Sequence, residues 1–224
     1  MIIGRGLIGN GFDSSNDDYS NYIIFASGVS NSKEISDNEY NREKELIIKT
    51  INENKGLKFI YFSSVLVGIA KNKYYNTKLE FEEIIKSNTT NYIIFRIPQI
   101  IGKIGNSNNL INYLKHSIIN QNEITIYGNV ERSLIDVDDL IKIVDYCKDK
   151  INREVLILSS IEKIKVVTLC EIISEVVNKK PIYNIIDDFE NNNWEINNSK
   201  IINEAIFDIE SEGYNYRVLK KYLI

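Results

Sequence analysis

FIYFSSVLVGIAKNKYYNTK, residues 59–78, decides how the rest of the chain is read. Phe59-Ile60-Tyr61-Phe62 is an apolar, β-branched and aromatic run bounded by small residues, the pattern of a parallel strand buried on both faces. It ends in Ser63-Ser64. Tyr74 and Lys78 follow, with Leu79, Phe81, Ile84 and Ile85 at helical spacing. Tyr74 and Lys78 stand one helical turn apart and so share a face. An ammonium beside a phenol stabilises the phenolate and lowers its pKa. A serine hydroxyl from the strand end could face both and hold a substrate oxygen. Such a group moves a proton on or off a hydroxyl or carbonyl. Tyr-x-x-x-Lys also arises by chance on solvated helix faces, so the case depends on what else the chain carries.

Toward the N-terminus, Met1-Ile2-Ile3 is a short apolar start followed by Gly4-Arg5-Gly6-Leu7-Ile8-Gly9. This is G-x-G-x-x-G at the end of a strand, where glycines allow a tight turn and a close approach of backbone to a pyrophosphate. The segment 10–21 then leaves room for a short helix and a loop, and no more, before the strand 22–25. A usual dinucleotide fold needs a full helix and then a strand ending in an acid that binds the adenine ribose. Asp17 and Asp18 lie in a polar loop and read as solvated. Ala26-Ser27-Gly28-Val29-Ser30 follows, small residues across which a cofactor could lie.

The segment 39–52 reads as an amphipathic helix with Leu46, Ile47, Thr50 and Ile51 as its apolar stripe, ended by Lys55-Gly56. After the Tyr74 helix, 92–98 is another buried strand. A glycine- and asparagine-containing loop spans 102–108, a helix 109–119, a strand 123–127 and a turn 128–133 carrying Arg132. Asp138-Asp139 starts a helix running to about Cys147, where acids suit the helix dipole. A strand at 155–158 and a helix at 166–177, capped by a neighbouring polar residue, come next. Asn197-Asn198-Ser199 precedes a final short helical segment. Strand and helix alternate, so the class is α/β with a parallel sheet.

Composition bounds the rest. The chain has 224 residues and 43% hydrophobic content, enough for one large domain or two small ones. Net charge is −4 and no Lys/Arg cluster forms a stripe, which argues against nucleic acid. Cys147 and Cys170 fall in apolar helical patterns and read as core thiols in a reducing compartment. His116 is the single histidine, so no metal-ligand spacing exists. No apolar stretch reaches membrane-spanning length and no basic segment precedes an apolar one. The expectation is a soluble cytoplasmic protein with no membrane partner.

These pieces, in this order, resemble the extended short-chain dehydrogenase/reductase family, the NAD-dependent epimerase/dehydratase group acting on nucleotide sugars. The resemblance rests on GRGLIG at the start, FASGVS after the second strand, and FSS followed by Tyr74-x-x-x-Lys78. It continues through FRIPQIIG (95–102), NNLINYL (108–114) and YGNVERSLIDVDDL (127–140). It implies a Rossmann-like parallel sheet flanked by helices, reduced in strand number, with a small C-terminal α+β substrate-binding portion. Residues 1–102, with 128–150 returning, would form the cofactor-binding domain; 103–127 and 151–224 would form the smaller portion.

The resemblance also implies roles. Tyr74 would be the acid/base, and Lys78 would bind the nicotinamide ribose of NAD or NADP and depress the Tyr74 pKa. Ser63 or Ser64 would complete the triad: counting back from Gly68 favours the first, the family's habit of using the second serine favours the other. Gly4, Arg5, Gly6, Leu7, Ile8 and Gly9, with Ala26 and Ser27, would hold the cofactor, and Arg5 could meet a 2′-phosphate. Gln99, Asn109, Leu110 and Arg132 would hold the nucleotide sugar, against the plainer readings of Asn109 as a helix cap and Arg132 as a surface residue. Two departures stand out. The segment between Gly9 and Tyr22 lacks about two strands that normally hold adenosine. Val65 and Leu66 replace the acids of a 4,6-dehydratase, and no cysteine follows Arg96-Ile97-Pro98 as in a 3,5-epimerase. The expected function is an NAD(P)-dependent nucleotide-sugar 4-epimerase or keto-sugar reductase, with a homodimer allowed. The alternative is a catalytically silent binding module of the same fold.

Overall fold

The structure, a computed structural model, describes the chain except for residues 16, 104–108, 129, 161, 187–197, 205–208, 210 and 224. Most of the loop expected at 102–108 and Asn197 therefore lie outside the described residues. The first half alternates as read: β1 (Ile2–Ile3), α1 (Leu7–Asp13), β2 (Tyr22–Phe25), α2 (Asp37–Glu53), β3 (Lys58–Ser64), α3 (Lys73–Asn88) and β4 (Tyr92–Ile97). The second half carries β5 (Gln99–Ile101), α4 (Leu110–Ile119), β6 (Glu123–Tyr127), β7 (Glu131–Arg132), β8 (Leu134–Asp136) and α5 (Val137–Lys148). It continues through β9 (Glu154–Ile157), β10 (Ile164–Lys165), α6 (Val166–Val177), β11 (Ile182–Ile186), α7 (Lys200–Glu204) and α8 (Tyr214–Leu223).

The main sheet has five parallel strands in the order β1-β2-β3-β4-β9. Strand β3 is central because residues 59–62 are apolar on both faces and every one is buried. Each such side chain contributes roughly 1.5–3 kcal/mol by leaving water. Alternation sends Ile60 and Phe62 to one face, against Phe12 of α1 and Leu140 and Val144 of α5. Phe59 and Tyr61 go to the other, against Tyr40, Ile47 and Ile51 of α2 and Phe81 and Ile85 of α3.

That division has a topological consequence. Helices α1, α2 and α3 each join one strand to the next neighbour in the same direction along the sheet, yet α1 lies on the opposite face from the other two. The β1–α1–β2 crossover therefore has the opposite hand to the two that follow, against a strong general preference for one hand. A doubly wound sheet starts in its middle, winds to one edge and returns to fill the other. Removing the units between its first helix and the return leaves the first strand at the edge and its helix on the far face. The short connection at 14–21 has left that arrangement here.

Three details differ from the sequence reading. Strand β9, assigned above to the smaller portion, pairs with β4 in the main sheet, and Leu114, Ile124 and Leu169 share one buried cluster with Phe62 and Phe95. The described core is continuous across the expected domain boundary. The turn at 128–133 contains β7, which pairs antiparallel with β10. Lys165, the residue before α6, provides no side-chain cap; the Val166 N–H donates to the Val130 carbonyl instead, 3.1 Å away. Two further pairings go beyond the sequence reading: β5 with β8, and β6, the strand expected at 123–127, with β11, both parallel. Cys147 and Cys170 are free and fully buried, as the apolar pattern implied, and burial pushes both thiols up to about 11.

Candidate active site

The carboxyl ends of β1, β2 and β3 bring together the glycine loop, the loop after β2 and the first turns of α3. The glycines divide their duties. Gly4 has φ +111°, and a Cβ there would stand 2.3 Å from the Ala26 carbonyl oxygen. A Cβ on Gly9 would stand 2.2 Å from the Gly4 carbonyl oxygen. Both are needed by the chain's own close approach of helix, turn and strand. A Cβ on Gly6 meets nothing within 4 Å. The protein itself does not demand glycine there, and the open space over exposed backbone is what an approaching pyrophosphate requires. The residues fit a phosphate-bearing cofactor at that point.

Around Gly6, Leu7 and Ile8 are half-buried and pack on the core, with Leu7 lying against Gly102. Arg5 is exposed. Ala26 joins β1 by an N–H···O bond of 2.8 Å to Ile3, and Ser27 is half-buried. Beyond β1 the main sheet ends, so no strand of it stands where adenosine is usually held.

Helix α3 begins at Lys73 because the Asn72 side chain caps it, accepting from the Tyr75 N–H at 2.9 Å. This puts Tyr74 in the first turn and Lys78 one turn on. Lys78 is 5% exposed and its ammonium donates to Glu43 Oε1 at 2.8 Å and to the Tyr61 hydroxyl at 2.9 Å. It stands 5.8 Å from the Tyr74 ring centroid and 5.0 Å from that of Tyr61. The Tyr74 hydroxyl forms no hydrogen bond with a described residue. Burial, then the charge of Glu43, hold the Tyr74 phenol above its ordinary value. This corrects the expectation that Lys78 depresses it. The ammonium is matched by a carboxylate at hydrogen-bond range, so little net positive charge reaches the phenol.

Ser63 is buried and donates to Glu82 Oε1 at 2.6 Å. Glu82 also accepts two bonds from the Arg96 guanidinium, at 3.0 and 2.7 Å. The Ser63 hydroxyl is thus committed to a buried ion pair. Ser64, half-buried at the strand end, accepts weakly from the Leu66 N–H at 3.3 Å. Of the two serines it is the one whose hydroxyl proton is not bound in this network.

Among the residues expected to hold substrate, Arg132 is brought against α3. It is half-buried, its Nη1 donates to the Glu131 carbonyl at 2.9 Å, and burial lowers its pKa while the neighbouring Tyr75 opposes that. Burial lifts the Tyr75 phenol too, against Arg132 and a hydrogen bond with Ser32. Tyr75 packs edge-on to Tyr74, ring centroids 5.1 Å apart. Gln99 opens β5, its backbone N–H bonded to the Ser133 carbonyl. Asn109 caps α4 by accepting from the Ile111 N–H at 3.0 Å and donates to the Ile100 carbonyl at 2.9 Å, so both ends of its amide serve the backbone. Leu110 packs on the core.

Sequence reasoning missed Glu43, Glu82 and Tyr75. Both glutamates carry a signal in retrospect. Glu43 sits one turn before Ile47 on the apolar stripe of α2, and Glu82 one turn before Ile85 on that of α3, so both face inward.

Residues 61–156 match the NAD dependent epimerase/dehydratase family, a span holding Tyr74, Lys78 and Arg132. Solved structures of similar shape include dTDP-glucose 4,6-dehydratase from Bacillus anthracis in complex with NAD, at TM-score 0.71 and 16% identity over 90% of this chain and 71% of that one. UDP-glucose 4-epimerase from Thermus thermophilus, in complex with NAD, gives TM-score 0.71 at 9% identity over 91% of this chain and 77% of that one. dTDP-4-dehydrorhamnose reductase from Bacillus anthracis, in complex with NADP, gives 0.67 at 16% identity over 90% and 80% respectively. At these identities the likeness establishes the fold. Comparison with curated proteins returns no match.

Proposed function

We propose that the chain is an NAD(P)-dependent oxidoreductase acting on a nucleotide-activated sugar, as a 4-epimerase or a keto-sugar reductase. The observation that carries this reading is the placement of Tyr74 beside Lys78 on α3, at the carboxyl end of β3 and within the family-matched span. Similarly folded structures hold NAD or NADP, and the open space at Gly6 suits the pyrophosphate of such a cofactor. When bound, the nicotinamide supplies the redox chemistry. The chain's own part is to place the substrate and move one proton. Tyr74 Oη is the proton-handling atom, Ser64 Oγ holds the sugar oxygen, and Arg132 presents a planar guanidinium to the diphosphate.

A screen of UDP-, dTDP- and GDP-sugars, and of their 4-keto forms, against NAD(H) and NADP(H) tests the reading. Turnover with at least one pair, lost in Tyr74→Phe, is expected. A folded protein that binds a dinucleotide yet turns over no sugar in the set would favour a silent binding module.

A further inference from the structure

Glu43 joins three elements through one carboxylate. Oε2 accepts from the Val29 N–H at 2.8 Å, which fixes the loop after β2; Oε1 accepts from Tyr61 at 3.0 Å and from Lys78 at 2.8 Å. The residue is 2% exposed, and a Cβ on Gly28 would fall 2.4 Å from its oxygen, so that loop rests directly on the carboxylate. The Glu43–Lys78 pair is sealed, with side chains 1% and 6% exposed. Other ionisable groups around Tyr74 are Tyr40 of α2, Tyr61 of β3 and Tyr75 of α3, the last with Arg132 of β7 beside it.

We propose that Glu43 is a positioning residue: it takes the Lys78 ammonium for itself, so that Tyr74 serves a carbonyl oxygen as a proton donor instead of serving a sugar hydroxyl as a base. An ammonium has three donors, and two of those on Lys78 are spent on Glu43 and Tyr61. A base at Tyr74 needs a phenolate, which an unmatched cation beside it would stabilise; the matched pair does not. The raised Tyr74 phenol agrees with this geometry. The proposal rests on the oxidoreductase reading and narrows it to keto-sugar reduction. The hydride for the carbonyl carbon would come from a reduced nicotinamide, which would itself be oxidised. The C=O π bond opens, and the Tyr74 proton completes the alcohol, to be replaced from water.

The test is made on the chain without dinucleotide, so its failure is distinct from failure of the cofactor reading. Near-ultraviolet phenolate absorbance is titrated in the wild type and in Tyr74→Phe, and the difference isolates Tyr74. The same pair of curves is taken in a Glu43→Gln background, where the charge is gone and the one amide oxygen keeps either the Val29 N–H bond or the Tyr61 bond. In the wild type, no Tyr74 phenolate is expected up to about one unit above the ordinary tyrosine value of about 10. In Glu43→Gln it is expected at or below that value, at least about tenfold more phenolate at a given pH. Coincident curves in the two backgrounds overturn the proposal. If Glu43→Gln does not fold, Glu43→Gln/Lys78→Met replaces it, since it leaves no unpaired buried charge. There the Tyr74 signal is expected to stay absent over the same range, because both charges are gone. Its appearance would assign the effect to packing and reject the role of Lys78.

Discussion

At Tyr74 the phenol oxygen bonds to no described residue, so replacing it with phenylalanine removes one oxygen and breaks no described hydrogen bond. Tyr74→Phe should melt within a degree or two of the wild type while turnover drops on the order of 10²–10⁴-fold, the usual value of a positioned acid/base. A near wild-type rate would move the proton to another group. Arg132 gives the second prediction at this scale. Its guanidinium donates to the Glu131 carbonyl and lies beside Tyr75. Arg132→Ala should weaken binding of UDP, dTDP or GDP by roughly 1.5–3 kcal/mol, the range for a charged hydrogen bond, and leave dinucleotide affinity unchanged. Calorimetry with each nucleoside diphosphate decides this; equal affinities in both proteins would make Arg132 structural. Tyr74 and Lys78 were legible as a pair because the spacing that defines them is local. What Lys78 does with its charge was not. Its partner Glu43 lies 35 residues away on another helix, in a run, NREKE, that reads as solvated when only charge is counted.

Elements joined by buried ions are the next scale. Glu82 of α3 is fully buried and ties Ser63 of β3 and Arg96 of β4 to its helix. Glu82→Ala leaves a guanidinium, 21% exposed, without its carboxylate and should cost about 3–5 kcal/mol, the range for breaking such a pair. Glu82→Leu with Arg96→Met should recover most of that loss, because two well-packed apolar side chains replace the pair. Chemical denaturation measures both, and a loss under about 1 kcal/mol in Glu82→Ala would show the pair to be effectively solvated. The strands of the main sheet were readable as apolar runs. The pairings β5–β8 and β6–β11 were not, although 123–127 reads as a strand, because each partner lies far along the chain. Helix α8 docks through Tyr214, Lys221 and Tyr222 onto Asp136 and its neighbours, contacts that no local pattern announces.

Across the whole molecule, burial of titratable groups sets the response to alkali. Cys147 and Cys170 bind their protons more tightly in the folded chain, at about 11 against an ordinary 9. Folded stability from these thiols is therefore complete below about pH 9 and is lost as pH rises toward 11, because the unfolded chain releases the protons first. The melting temperature should fall across that window, with the buried tyrosines adding to the loss from about pH 10, where their unfolded phenols ionise; a flat profile between about pH 9 and 10 would mean the thiols are solvated. The sheet order was only half legible. The short segment before Tyr22 announced missing strands, but that this places β1 at an edge with a crossover of opposite hand emerges only in three dimensions.

The central claim is that the open space at Gly6 receives a dinucleotide. Titration of NAD(H) and NADP(H) against the wild type and Gly6→Val, followed by melting temperature and calorimetry, tests it directly. Because a Cβ at Gly6 meets no protein atom within 4 Å, the variant should fold as the wild type does, so a lost ligand can be ascribed to the ligand's own space. The account predicts saturable binding in the wild type, with roughly 2.7 kcal/mol of added stability at about 100 times the dissociation constant, and none in Gly6→Val. No shift with any dinucleotide at millimolar concentration, or equal binding in the two proteins, would contradict it.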